Sequence, residues 1–185
     1  MSVKEDMLAI VKEIEFVRAN IDDGEVARFV DAIRDAKRVF CFGLGRAGFA
    51  MKSFAMRLMH MGKETYVLTE TITPNFGVGD LFVVASGSGE TAQLIALAAK
   101  AKALGGSVGV MTTNRESTIT QHADVVVQIM APSKNQKESS FSSQQPMASL
   151  FEQSLLIVGD ATVMTLAQQS HAPESELFKR HANLE

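Results

Sequence analysis

Ser86-Gly87-Ser88-Gly89-Glu90-Thr91 sets two glycines and three hydroxyls between the apolar run Leu81-Phe82-Val83-Val84-Ala85 and the helical pattern that opens at Ala92. A strand, a glycine-rich turn and a helix start together aim backbone N–H groups at an anion. Gly87 and Gly89 allow a ligand to approach the backbone closely. Ser86, Ser88 and Thr91 supply hydroxyl donors, and the helix dipole favours negative charge at the same place. These residues predict a phosphate cradle. A nucleoside triphosphate is not the expected occupant, because Glu90-Thr91 stands where a Walker A loop carries Lys-Ser/Thr. The plain alternative is a tight turn with Ser88 as helix N-cap. That task needs one hydroxyl, and the loop offers three.

A second turn, Gly43-Leu44-Gly45-Arg46-Ala47-Gly48, follows the apolar run Val39-Phe40-Cys41-Phe42 and leads into another helical pattern. It satisfies the dinucleotide fingerprint G-x-G-x-x-G, and Glu70 lies where a ribose-binding acid is expected. Against a nicotinamide cofactor stand the shortness of the motif, the lack of chain for a substrate domain, and the second anion loop after the third strand. Both turns belong at the carboxyl ends of parallel strands, where open α/β sheets bind ligands. Gly45 and Arg46 are therefore expected in the same crevice as residues 86–91, with Arg46 as the cation that the cradle lacks. The alternative for Arg46 is a solvated residue in a first helical turn. Further on, Glu152 shares a helical face with Ala148, Ser149, Leu155 and Leu156, with no Lys or Arg three or four residues away. Such a face desolvates a carboxylate and strengthens it as a base. The competing reading is a solvated acid near a helix N-terminus.

The elements that must position these groups are legible as alternating patterns. Ser2-Val3-Lys4-Glu5 reads as a capping box ahead of Met7, Ile10, Val11, Ile14, Val17 and Ile21, and Asp22 with Glu25 repeats it before a second helix ending near Lys37. Strands are expected at 39–42, 65–69, 81–85, 108–111 and 125–129, with helices from about Phe49 to Met61, from Ala92 to the Gly105-Gly106 stop, and around Ser117 to His122. A polar, Ser/Gln-rich stretch at 131–146 exceeds what a connection needs and is expected to be mobile, functional or both. A long helix from about Met147 to Gln169 and a short one after Pro173 close the chain. This order predicts an α/β fold, a five-stranded parallel doubly wound sheet of flavodoxin-like type flanked by helices, in a single domain spanning 1–185.

Length, at 185 residues, suits one domain with an ample core, and 46% hydrophobic with 21% charged residues is ordinary for a globular protein. A net charge of -3 offers no basic stripe for nucleic acid. No signal peptide is read in the charged first residues, and the apolar stretches look too interrupted to span a membrane, so a cytoplasmic protein is expected. The single cysteine, Cys41, allows no disulfide within the chain and no Cys-based metal site, and is expected to be a buried packing residue.

Together, Phe42-Gly43-Leu44-Gly45-Arg46, Phe54-Ala55-Met56-Arg57-Leu58-Met59-His60, Thr73-Pro74, Ser86-Gly87-Ser88-Gly89, Phe151-Glu152 and Arg180-His181-Ala182-Asn183-Leu184 resemble the sugar isomerase (SIS) domain family, and within it the hexuloisomerase branch. Ala47 departs from the serine that members often carry after the arginine. The resemblance implies interconversion of D-arabino-3-hexulose 6-phosphate and fructose 6-phosphate through a cis-enediol, in formaldehyde assimilation by the ribulose monophosphate route. It implies no metal or organic cofactor, and a homo-oligomer, as a tetramer, whose sites borrow residues across interfaces. By the same resemblance Glu152 is the proton acceptor, and His181 is a ring-opening or proton-shuttle group that could reach a neighbouring subunit. His60 is expected to cap or fill a helix end. Other readings are a different phosphosugar isomerase and a non-catalytic sugar-phosphate sensor. The regulatory repeats common after the domain in arabinose-5-phosphate isomerases are not expected, nor is the DNA-binding domain that precedes it in the sensors.

Overall fold

The computed structural model describes residues 2–132, 141–171 and 173–184. Among them, α1 (Val3–Asn20) and α2 (Asp23–Asp35) precede β1 (Arg38–Gly43), α3 (Gly45–His60), β2 (Thr65–Val67) and β3 (Asp80–Ser86). Next come α4 (Ala92–Ala103), β4 (Ser107–Thr112), a 3-10 turn (Ile119–His122), β5 (Val125–Gln128), α5 (Ser149–Ser170) and α6 (Glu174–Phe178). The strands make one parallel sheet in the order β2-β1-β3-β4-β5. This is the expected flavodoxin-like arrangement, and its order reverses between β1 and β3.

Strand residues alternate between two cores. Val39, Cys41, Leu81, Val83 and Ala85 pack with apolar residues of α1, α2, α3 and α5, while Phe40, Phe42, Phe82 and Val84 pack with Leu94, Ala98 and Ala101 of α4. Both faces are buried, which is why the strands read as unbroken apolar runs. Cys41 is fully buried, as expected, and burial pushes its thiol up. By length and composition α5 is apolar enough to cross a bilayer, against the expectation of interruption. Its Phe151, Leu155, Val158 and Leu166 are instead buried in the first core.

Local chemistry explains where elements start and stop. Ser2 and Glu5 exchange both capping-box bonds. Asp22 Oδ1 accepts the Glu25 N–H at 2.9 Å, but the second box does not close. The buried Glu25 carboxylate instead accepts the Gln128 N–H at 2.9 Å and pairs with Arg115, tying α2 to the end of β5. The third helix begins at Gly45 rather than near Phe49, because a Cβ at Gly48 would lie 2.6 Å from the Gly43 carbonyl oxygen. Without that Cβ the helix starts directly against the strand, bringing Arg46 into its first turn. The second strand stops at Val67, two residues earlier than expected, and the chain turns at Thr69 (φ 82). Of the polar stretch at 131–146, residues 133–140 lie outside the described residues.

Candidate active site

Leu44 and Gly45 after β1, Ser86 to Ser88 and Thr91 after β3, and Ala148, Phe151 and Glu152 around the start of α5 line a cleft of about 310 Å³. It opens between the carboxyl ends of β1 and β3, at the reversal of strand order, where sheets of this class bind ligands. The N-cap residues of α3, α4 and α5 are Leu44, Thr91 and Ala148, and none makes a side-chain capping bond. Three helix starts without side-chain caps therefore meet at one cleft. Their dipoles and first-turn N–H groups favour an anion there.

The loop after β3 is held from below. The Gly87 carbonyl accepts the Thr113 N–H at 3.1 Å and the Thr113 hydroxyl at 2.8 Å. Ser86 Oγ accepts the Gly89 N–H at 3.1 Å, and Ser88 Oγ accepts the Glu90 N–H at 3.2 Å. Ser88 is not the helix cap, since Thr91 occupies that position. Gly89 has φ 71, and a Cβ there would collide with Ser117, so only glycine fits. Neither Gly89 nor Glu90 is among the cleft-lining residues, although both were expected to be. Glu90 turns away and accepts the Thr118 N–H at 2.8 Å and the Thr118 hydroxyl at 2.6 Å.

Glu152 keeps only 10% of its side chain exposed. It is not isolated from cations, as its helical neighbours implied, because Arg46 Nη1 lies 3.0 Å from its Oε2. The partner comes from another helix, which spacing along one helix cannot reveal. The same Nη1 donates to Ser149 Oγ at 3.0 Å, and Ser149 donates to the Pro146 carbonyl at 2.8 Å. The contact with Glu152 is thus charge proximity without hydrogen-bond alignment, and Oε2 is left buried with no hydrogen-bond partner. Arg46 does not line the cleft; its guanidinium sits on the α5 start, not on the cradle. Ala47 does line it and presents a methyl group there.

Two supports escape sequence reasoning. Ser149 orients Arg46, as described. Glu13, on the polar-looking side of α1, is buried and takes the Ser143 hydroxyl at 2.6 Å, the Gln144 N–H at 2.7 Å and the Gln145 amide at 2.8 Å. Burial pushes this carboxyl up, but the three donors outweigh it and hold it below the usual range. The clamp, with Phe16 stacked on Phe141 at 4.0 Å, sets how the chain arrives at α5. A Glu spaced away from an apolar stripe carries no signal of this kind.

His181 stands elsewhere in the protomer. Its ring stacks on His60 at 5.4 Å, and His60 ends the helix that begins at the cleft. At about 1.5 Å per residue, that helix separates the histidines from the cleft by roughly 20 Å. His60 is buried, and burial, Arg57 and His181 hold it below its ordinary pKa. Glu70 pairs with Lys52 at 2.9 Å. Among the described residues no group of three His, Cys, Asp or Glu is placed to hold a metal. A larger cavity of about 440 Å³ lies at the other end of the sheet, beside Arg34 and Lys63. Of its cations, Arg34 is engaged with Asp31 and Asp35 and Lys63 with two carbonyls.

Known proteins resemble this chain in sequence and fold. The chain is 41% identical over 185 residues, covering all of both chains, to a 3-hexulose-6-phosphate isomerase of Bacillus subtilis. It is 40% identical to one of Mycobacterium gastri, covering 96% of this chain and 89% of that one. A crystal structure from Methanococcus jannaschii, for which a function of 3-hexulose-6-phosphate isomerase was inferred, superposes with a TM-score of 0.84 at 30% identity, covering 98% of this chain and 99% of that one. Residues 32–158, which carry both glycine turns, the whole sheet and Glu152, match the SIS domain, and this chain belongs to the SIS domain family.

Proposed function

We propose that this chain interconverts D-arabino-3-hexulose 6-phosphate and fructose 6-phosphate, in formaldehyde assimilation by the ribulose monophosphate route. The observation that carries this reading is the pairing in one cleft of an uncapped anion cradle with a buried carboxylate oxygen lacking a hydrogen-bond donor. The full-length likeness to 3-hexulose-6-phosphate isomerases supports the substrate.

The phosphate sits on Ser86, Gly87, Ser88, Thr91 and the N-terminus of α4, which fixes where C2 and C3 lie. Glu152 removes the proton from C2 while the C3 carbonyl oxygen gains one, giving a C2=C3 enediol. The O2 proton then leaves as the C2 carbonyl forms, and Glu152 returns its proton to C3. Gly45 and the first turn of α3, with Arg46 held beside Glu152, favour the charge that develops on the sugar oxygens. The reaction, as written, requires no metal or organic cofactor. His181 takes part only if it comes from a neighbouring protomer, so its role depends on oligomerisation. A cytoplasmic homo-oligomer, as a tetramer, is the proposed working state. Val3, Met7, Leu8 and Val11 leave an apolar surface exposed along α1 that supports association.

Purified protein given 3-hexulose 6-phosphate, ribose 5-phosphate and arabinose 5-phosphate separately, in chelator and without nicotinamide, tests the reading. Turnover of the first alone is expected. Turnover of a pentose phosphate in preference, or dependence on metal or nicotinamide, overturns it.

A further inference from the structure

Glu90 presents an electrostatic problem. It sits between Ser88 and Thr91, which both line the cleft, so a carboxylate lies next to one and two residues from the other of two groups that receive a phosphate. Like charges that close weaken binding unless one is turned away or neutralised. The structure turns it away. Both carboxylate oxygens are occupied by one residue, Oε1 by the Thr118 N–H at 2.8 Å and Oε2 by the Thr118 hydroxyl at 2.6 Å. The same segment braces the loop a second time, through the Ile119 N–H on the Gly89 carbonyl at 3.1 Å and the fit of Gly89 against Ser117.

We propose that Glu90 and Thr118 form an electrostatic latch that makes the cleft fit for a phosphate, with Thr118 as a positioning residue that holds the Glu90 charge out of it. The inference rests on the phosphosugar reading of the cleft, and it assigns Glu90 a role opposite to that of a ligand. The two hydrogen bonds, first that of the Thr118 hydroxyl and then that of its N–H, also hold the Glu90 carboxyl below its usual range. A latch of this kind has a signature that loop support lacks: the damage from opening it is carried by the charge released, so removing the charge repairs it.

The test is a double-mutant cycle read by calorimetric binding of inorganic phosphate and of fructose 6-phosphate, with melting temperatures confirming that every variant is folded. Thr118→Val removes the hydroxyl and leaves the carboxylate held by the Thr118 N–H alone, so that it can swing toward the cleft, and both ligands should bind at least about fivefold more weakly, within the usual range of coupling between sites. Glu90→Gln alone should bind as tightly as the parent or tighter. The double variant should return to within about twofold of the parent, and added salt should shrink the Thr118→Val defect. Thr118→Ser, which keeps both donors, should behave as the parent. The latch is overturned if Thr118→Val binds normally, or if its defect persists in the double variant, which would make Thr118 a shape support. If the parent protein binds neither ligand, the phosphosugar reading itself fails. If it binds both and the cycle shows no repair, the latch alone fails.

Discussion

The two ends of the sheet are built on opposite terms. At the amino end, polar groups are matched: Arg38 forks onto the buried Asp80 at 2.8 and 2.6 Å and reaches the Asn75 carbonyl at 2.9 Å, while Asp80 also takes the Gly77 N–H at 2.8 Å. The ends of α2 and α3 close there too, with the Lys63 amine on the Arg34 and Ala36 carbonyls and Arg180 on the His60 carbonyl. At the carboxyl end, three helices start without side-chain caps and Glu152 Oε2 has no hydrogen-bond partner. Saturated polar groups hold a fold together, whereas groups left open are held ready for something the protein binds. On that ground we expect chemistry at the second end and stability at the first.

The sharpest way to break this contrast is Glu152→Gln, which keeps shape and polarity but cannot accept a carbon-bound proton. Steady-state kinetics should show kcat lower by at least about 100-fold with KM little changed. Deuterium uptake from D₂O into the sugar should cease. A near-parental rate would remove the base from Glu152. At the other end, Asp80→Asn leaves the Arg38 guanidinium without its counter-charge and should lower the urea midpoint of unfolding, leaving KM unaltered. A KM shift as large as any fold loss would mean that the ends are not separable.

Smaller effects sharpen the comparison further. Ser88→Ala and Thr91→Ala should each weaken fructose 6-phosphate binding by roughly tenfold, the loss of one charge-assisted hydrogen bond of about 1.5 kcal/mol, without altering the melting temperature. If both bind as tightly as the parent, the loop only starts a helix. The smallest effect is in pH. Burial pushes the Asp80 carboxyl up, but Arg38 and the Gly77 N–H outweigh it and hold the carboxyl below its ordinary 3.8. A depressed folded value means that the stabilisation is present above pH 3.8 and is lost as pH falls through the folded value. Urea midpoints should therefore show no Asp80-linked change between pH 7 and 5 and decline below about pH 4, less steeply in Asp80→Asn. An identical slope in the variant would take Asp80 out of the acid response.

Much of this was legible in the order of residues, because capping, strand alternation and turn chemistry are local. Ser2, Asp22 and the glycine turns announce where elements begin, and the apolar runs at 39–42 and 81–85 announce strands buried on both faces. The shape of the turn after β3 was legible for the same reason: Ser86, Ser88 and Thr91 bond to backbone a few residues away. What depended on direction was not. Glu90 looks like a cradle residue until Thr118, 28 positions on, claims its carboxylate. Arg46 looks like a phosphate ligand until Ser149, 103 positions on, takes its guanidinium. Glu13 shows no purpose until residues 143–145 arrive on it.

By itself the sequence determined the parallel α/β sheet, the two glycine turns at its carboxyl end and Glu152 near a helix start, since each follows from periodicity and short-range hydrogen bonding that the chain carries wherever it goes. Only the tertiary structure decided that three uncapped helix starts meet at one cleft, that Arg46 stands beside Glu152, that Glu90 faces away and that His181 lies at the far end of α3. Those are long-range choices. A charged side chain settles on whichever partner the folded backbone brings within about 3 Å, and no local pattern encodes which one that is.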